Sequence, residues 1–121
     1  HVLIAPGDFH MTLASDSSGY YVKVAHGEKV SGHCPSVDVL FSSVALTAKE
    51  NAVGVIMTGM GADGAEGLLK MHDAGAYTIG QDKETCVVYG MPMVANKLGA
   101  CTIQAPLDRI SAEICRYISE R

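Results

Sequence analysis

Six consecutive apolar or small residues, Val53-Gly54-Val55-Ile56-Met57-Thr58, run straight into Gly59-Met60-Gly61-Ala62-Asp63-Gly64 and then into a short amphipathic segment. A strand with one wet face alternates apolar and polar residues, whereas a strand covered on both faces reads as one apolar run. The run therefore predicts a parallel strand buried on both sides that turns sharply through glycines into a helix. Such a strand needs helices above and below it.

The rest of the chain supplies them. Residues 1–5 (His-Val-Leu-Ile-Ala) predict a short buried strand stopped by Pro6-Gly7, and the strand-like runs 11–13 and 20–24, separated by a polar turn, predict an antiparallel hairpin. Pro35-Ser36 offers a helix start, after which Val37, Leu40, Phe41, Val44 and Ala48 recur at helical spacing for about four turns, to near Asn51. Residues 65–74 predict a short helix closed by Gly75. Residues 76–79 predict a second covered strand, and 86–89 a brief extended stretch. Gly90-Met91-Pro92 leads into a helix to Leu98 with Gly99 as its stop; 102–104 predict a third parallel strand and 107–119 a closing amphipathic helix. This alternation predicts an α/β fold, a three-layer, open, mostly parallel Rossmann-like sheet with an added hairpin. In such sheets reactive groups collect at the carboxyl ends of the strands, and Asp63 lies just past one.

With 121 residues the chain is long enough for one domain. A formal charge of -4, with neither sign gathered into a block, argues against a nucleic-acid surface. No apolar run approaches the roughly 18 residues of a membrane span. The start lacks a secretory signal and an initiator Met, so the expectation is a piece of a longer chain. Cys34, Cys86, Cys101 and Cys115 form no C-x-x-C pair and read as reduced cytoplasmic thiols. The histidines lack metal-ligand spacing, so no metal and no organic cofactor is expected.

The glycine loop admits three readings. It has G-x-G-x-x-G spacing after a strand, with Asp82 where a ribose-binding acid would stand. Against nucleotide binding, Asp63 would place a carboxylate in the phosphate cradle, at a cost of about 4 kcal/mol for unit charges 4 Å apart in an effective dielectric constant near 20. Alternatively, Asp63 caps the helix that follows it. In the third reading Asp63 orients a histidine, as the acid of a Ser-His-Asp triad does. Spacing alone leaves the last two open.

"TGMGADG" (58–64), together with "IAPGDFHM" (4–11), "PSVDVLFSSVA" (35–45) and "CVVYGMP" (86–92) in this order, resembles the catalytic domain of the chemotaxis protein-glutamate methylesterases, the CheB family. The resemblance implies a serine hydrolase that demethylates glutamate γ-methyl esters, and deamidates certain glutamines, on the cytoplasmic helices of chemoreceptors. It implies Asp63 as the triad acid and the Met60 backbone N–H as an oxyanion-hole donor, with Gly59, Gly61, Gly64 and His10 beside the site. Glycine turns let such donors approach a reacting carbonyl, and each is worth about 2.7–4 kcal/mol.

The family's serine turn and its "QHM"-like base both precede the "IAPG" strand, so this chain carries one third of the triad. His10, His33, Ser31, Ser36, Ser42 and Ser43 offer no nucleophile-elbow context. Residues 1–121 are thus expected to be the carboxyl-terminal portion of a catalytic domain, inactive alone, with a non-catalytic binding or regulatory remnant as the alternative. A receiver domain precedes the catalytic domain in many members. The apolar faces at 2–4 and 53–58, left partly uncovered, allow self-association. Cys34 stands where many members have Arg, and Met93-Val94 where they carry charges, which bears on receptor docking.

Overall fold

The computed structural model describes residues 1–121. Its elements are β1 (Phe9–Asp16), β2 (Gly19–His26), α1 (Val37–Thr47), a 3-10 turn (Lys49–Asn51), β3 (Val53–Ile56), α2 (Ala65–Asp73), β4 (Tyr77–Gln81), α3 (Met91–Lys97), β5 (Ile103–Ala105) and α4 (Leu107–Ser119). Strands β3, β4 and β5 form a parallel sheet in that order, and β1 pairs with β2 as a separate antiparallel hairpin.

The sheet is buried on both faces, as its apolar strands require. On one side Ile56 packs with Ala65, Leu68 and Met71 of α2, Ala45 of α1 and Ala95 of α3. On the other, Ile79 and Ala105 pack with Ile110 of α4, flanked by Val53, Val55 and Ile114. Alternate residues of β3 therefore serve opposite cores. This gives the three layers that the strand–helix alternation predicts.

Helix α1 ties the hairpin to the rest. Ser43 Oγ accepts the Leu13 N–H at 2.8 Å, and Thr47 Oγ1 donates to the Leu13 carbonyl at 3.2 Å, so two helix side chains satisfy the open edge of β1. An isolated two-stranded ribbon is marginal in water, and these bonds with the half-buried face of β1 hold it in place.

Three expectations need correction. Residues 1–5 form no strand: Val2, Leu3 and Ile4 are 90%, 61% and 85% exposed, because no strand of this chain lies beside them to complete a ladder. The α-helical part of α1 stops at Thr47, and a 3-10 turn carries the chain on to Asn51. Residues 86–89 contribute only a single parallel bridge, between Tyr89 and Gly59. No helix is long and apolar enough to cross a membrane.

Candidate active site

The loop from β3 to α2 carries Asp63, and its turn depends on glycine. Gly64 adopts φ 95°, and a Cβ there would come within 2.7 Å of Val37 Cγ1. Only glycine both tolerates that backbone and lets the start of α1 lie against the turn. On the other side, a Cβ at Gly90 would meet the Gly59 carbonyl oxygen at 2.6 Å, so the "YGMP" segment also approaches the loop backbone to backbone.

Asp63 is 5% exposed, and its carboxylate is bound to the amino-terminal end of α1. Oδ1 accepts from the Ser36 hydroxyl at 2.8 Å and the Asp38 N–H at 3.0 Å. Oδ2 accepts from the Val37 N–H at 2.8 Å. Burial is the largest single influence on this carboxyl and pushes its pKa up. The Val37 and Asp38 N–H groups, the Ser36 hydroxyl and the charge of His33 together outweigh it and hold the pKa below the ordinary value. The positive end of the α1 dipole acts in the same sense.

Asp63 is thus a helix cap, but of α1 rather than of the helix it precedes. The first turn of α2 is served instead by Asp38, whose Oδ1 accepts the Gly67 N–H at 2.8 Å while its Oδ2 accepts from the Ser31 hydroxyl at 2.8 Å. Each acid satisfies the orphan donors of the neighbouring helix. This reciprocity locks α1 to α2 at their amino-terminal ends and turns the Asp63 carboxylate toward α1.

His10 is one residue removed from Asp63. Its Nδ1 accepts the Ser36 backbone N–H at 3.2 Å, and its Nε2 lies 2.6 Å from the Glu28 carbonyl oxygen, so the imidazole carries its proton on Nε2. His10, Ser36 and Asp63 therefore form a relay of supports without a Ser–His pair, because the Ser36 hydroxyl donates to Asp63. Of the other serines in this region, Ser31 donates to Asp38 and Ser43 to the Leu40 carbonyl, while Ser42 accepts from Lys70 at 3.5 Å.

Residues 58 and 59 are tethered from the opposite side. Thr58 Oγ1 accepts the Val88 N–H at 2.9 Å, the Gly59 N–H donates to the Val88 carbonyl at 3.1 Å, and the Met91 N–H donates to the Gly59 carbonyl at 2.8 Å. Beyond these tethers, the N–H groups of Met60 and Gly61 meet no acceptor within the chain, and the Met60 side chain is 79% exposed. Gly61 has φ 90° with open space around it. A cleft of about 350 Å³ opens beside Asp63, lined by Ser31, Ala62, Glu66, Val94 and Leu98.

One buried residue in this region carries no sequence signal. Gln81 is fully buried, and its Oε1 accepts the Thr58 N–H at 2.8 Å. At the end of an apolar strand it reads as the start of a polar loop, and its partner is 23 residues away.

An ionised carboxylate just past the carboxyl end of a covered parallel strand, beside free main-chain donors on a glycine turn, marks an α/β domain whose candidate site lies at its strand ends. The CheB methylesterase family model matches residues 1–114, and the chain belongs to that family. A protein-glutamate methylesterase/protein-glutamine glutaminase of Syntrophomonas wolfei is 56% identical over 119 residues, covering 98% of this chain and 35% of that protein. Its counterpart in Sulfurimonas denitrificans is 53% identical over 120 residues, covering 99% of this chain and 34% of that protein. The solved CheB methylesterase catalytic domain of Thermotoga maritima superposes with a TM-score of 0.89 at 33% identity, covering 93% of this chain and 59% of that one. The chain thus spans about a third of the length of the curated relatives it matches.

Proposed function

We propose that these residues are the carboxyl-terminal portion of a methylesterase catalytic domain, in which Asp63 orients the histidine of a Ser-His-Asp triad. The serine and histidine come from chain outside these residues. The substrate is the γ-methyl ester of glutamate on the cytoplasmic helices of chemoreceptors, with the corresponding glutamine amide as a second substrate. In this reading the protein works in the cytoplasm, and a receiver domain elsewhere in the parent chain is the natural regulator.

The observation that carries the reading is the state of the Asp63 carboxylate. A carboxylate oxygen can accept two hydrogen bonds, and Oδ2 accepts only the Val37 N–H, so it has room for an imidazole N–H. Its lowered pKa keeps it ionised wherever an imidazolium must be stabilised. The unpaired Met60 N–H supports an oxyanion role, since such a donor must be free in the resting protein. Hydrolysis then follows the familiar course. The serine oxygen attacks the ester carbonyl as the histidine takes its proton; methanol leaves with a proton returned by the histidine, and water releases the glutamate.

A second reading is favoured by the three bonds that already occupy Asp63 as a cap of α1. In that reading the carboxylate is structural and the domain a binding remnant. Receptor demethylation by the full-length protein separates the two. Asp63→Asn is expected to lower kcat by about 10² to 10⁴, because the amide favours the wrong imidazole tautomer and cannot stabilise the imidazolium. A rate within threefold of wild type would rule out the catalytic role. The 121 residues alone, lacking nucleophile and base, are expected to show background hydrolysis only.

A further inference from the structure

We infer that Gln81 is a positioning residue for this reaction: it fixes where β3 leaves the sheet, and hence where the Met60 N–H points. The inference rests on the proposed esterase reading and extends it to a residue that touches no substrate. Strands β3 and β4 stay paired as far as Ile56 and Gly80. One residue further on, β4 keeps only its pairing with β5: Gln81 pairs with Ala105, and the Asp82 N–H donates to the Ala105 carbonyl at 2.9 Å. The sheet forks there, with β3 turning away into the glycine loop.

The Gln81 side chain spans the fork. Its Oε1 takes the Thr58 N–H at 2.8 Å, and its Nε2 donates to the Thr85 carbonyl at 2.9 Å and the Thr85 hydroxyl at 3.2 Å. These partners fix the orientation of the amide, because only oxygen can face the N–H and only nitrogen the carbonyl. The amide supplies the acceptor that the ladder would have given Thr58 had β3 continued beside β4. The remaining tethers of residues 58 and 59 come from Val88 and Met91, so Gln81 joins the loop to the sheet itself. Met60 lies two residues past Thr58, with its N–H unpaired. The Gln81 amide is itself at 0% exposure, so its polar atoms depend on these partners rather than on water.

Glutamine is needed because one end must accept and the other donate. Methionine fills a similar volume and does neither. Ionised glutamate still accepts from Thr58, but sets a negative charge against the Thr85 oxygens. Protonating that glutamate restores the missing donor, and burial raises the pH at which this happens.

The test uses the full-length methylesterase with methylated receptor as substrate, comparing Gln81→Met, Gln81→Glu and Asp63→Asn with wild type. Gln81→Met is expected to lower kcat about tenfold with KM within about twofold. That is less than the roughly 10² to 10³ lost with an oxyanion donor itself, because the donor is displaced rather than removed. The Gln81→Glu deficit, taken as a ratio to wild type at each pH, is expected to shrink between about pH 8 and pH 6 as the glutamate protonates. A Gln81→Met kcat within twofold of wild type, or a Gln81→Glu ratio that is flat with pH, overturns the inference. If thermal melts show that Gln81→Met does not fold, the pH ratio of Gln81→Glu decides alone. An Asp63→Asn rate equal to wild type overturns the esterase reading and this inference with it. A steep Asp63→Asn loss beside insensitive Gln81 variants overturns the positioning role alone.

Discussion

Replacing Asp63 by Asn looks like a mild change for a helix cap, since Asn and Asp cap about equally well in general. The geometry around α1 predicts otherwise. If the Asn oxygen takes the place of Oδ1, it keeps the Ser36 hydroxyl and the Asp38 N–H, but its NH₂ then faces the Val37 N–H. If it is flipped, Val37 is satisfied and Asp38 is not. Either way one half-buried N–H loses its acceptor, at about 1–3 kcal/mol, and the surviving bonds fall from charged to neutral strength. The lost interaction with the α1 dipole adds about 0.3–1 kcal/mol. The expected loss is about 2–3 kcal/mol at pH 7, which a domain stable by about 5–15 kcal/mol survives. Because the folded-state pKa of Asp63 is lowered, its contribution is full above the unfolded carboxyl pKa, about 3.9, and is lost as pH falls through the folded value. Urea unfolding of wild type and Asp63→Asn at a series of pH values reads this directly. The gap between them should be widest at neutral pH and close in acid. A gap below about 0.5 kcal/mol at pH 7, or one that stays constant down to pH 3, would refute the capping argument.

Three further outcomes follow from other parts of the fold. Burial pushes the Cys101 thiol up to about 11, so a thiolate-specific reagent at pH 7.5 should label exposed Cys115 and leave Cys101 unmodified until the protein unfolds; peptide mapping of the labelled protein checks it, and early labelling of Cys101 contradicts it. Gly64→Ala combines a positive φ with a 2.7 Å approach to Val37, whereas Gly61→Ala meets only the φ penalty, about 1–2 kcal/mol. Denaturant melts should therefore rank Gly64→Ala as clearly the more damaging. With the buried negative charge of Asp63 close to the turn and the Gly59 N–H already given to the Val88 carbonyl, NADH should show no saturable binding tighter than about 100 μM by calorimetry, which corresponds to roughly 5.5 kcal/mol.

Much of the architecture was legible because it rests on local pattern. The unbroken apolar run of β3, the glycine stops after α2 and α3, and the wet–dry periodicity of α4 each identify an element without reference to the others. The strand expected at residues 1–5 shows the limit of that reasoning. Val2, Leu3 and Ile4 have the composition of a buried strand, yet a parallel strand exists only beside a neighbour, and none is available within these residues. The four motifs come together in the fold: "PSVD" bonds Asp63, "VVYGMP" bonds Thr58 and Gly59, and "FHM" reaches the group through the bond from the Ser36 N–H to His10. Which bond joins which motif was not legible. That Asp63 serves α1 and Asp38 serves α2 depends on how two helices pack, and the partners are 25 to 29 residues apart in sequence. Gln81 was missed for the same reason: a polar residue at a strand end is ordinary until the fork beside it is known.

The capping and catalytic readings of Asp63 draw on one set of contacts. Two N–H groups at a helix start and a hydroxyl hold the carboxylate ionised against the cost of burial, and they also fix its direction. A triad acid needs both properties, a retained charge and a defined orientation, before any histidine arrives. A carboxylate built only as a cap needs neither an unused lone pair nor a place at the end of a covered strand. Ser36 gives the argument a further edge, because its hydroxyl bonds Oδ1 and leaves Oδ2 untouched. Ser36→Ala, which removes one bond to the charged carboxylate, should cost about 1.5–3 kcal/mol of stability while costing far less activity than Asp63→Asn. If the two substitutions instead reduce kcat in proportion to their effects on stability, the carboxylate acts through the fold alone, and the triad assignment fails.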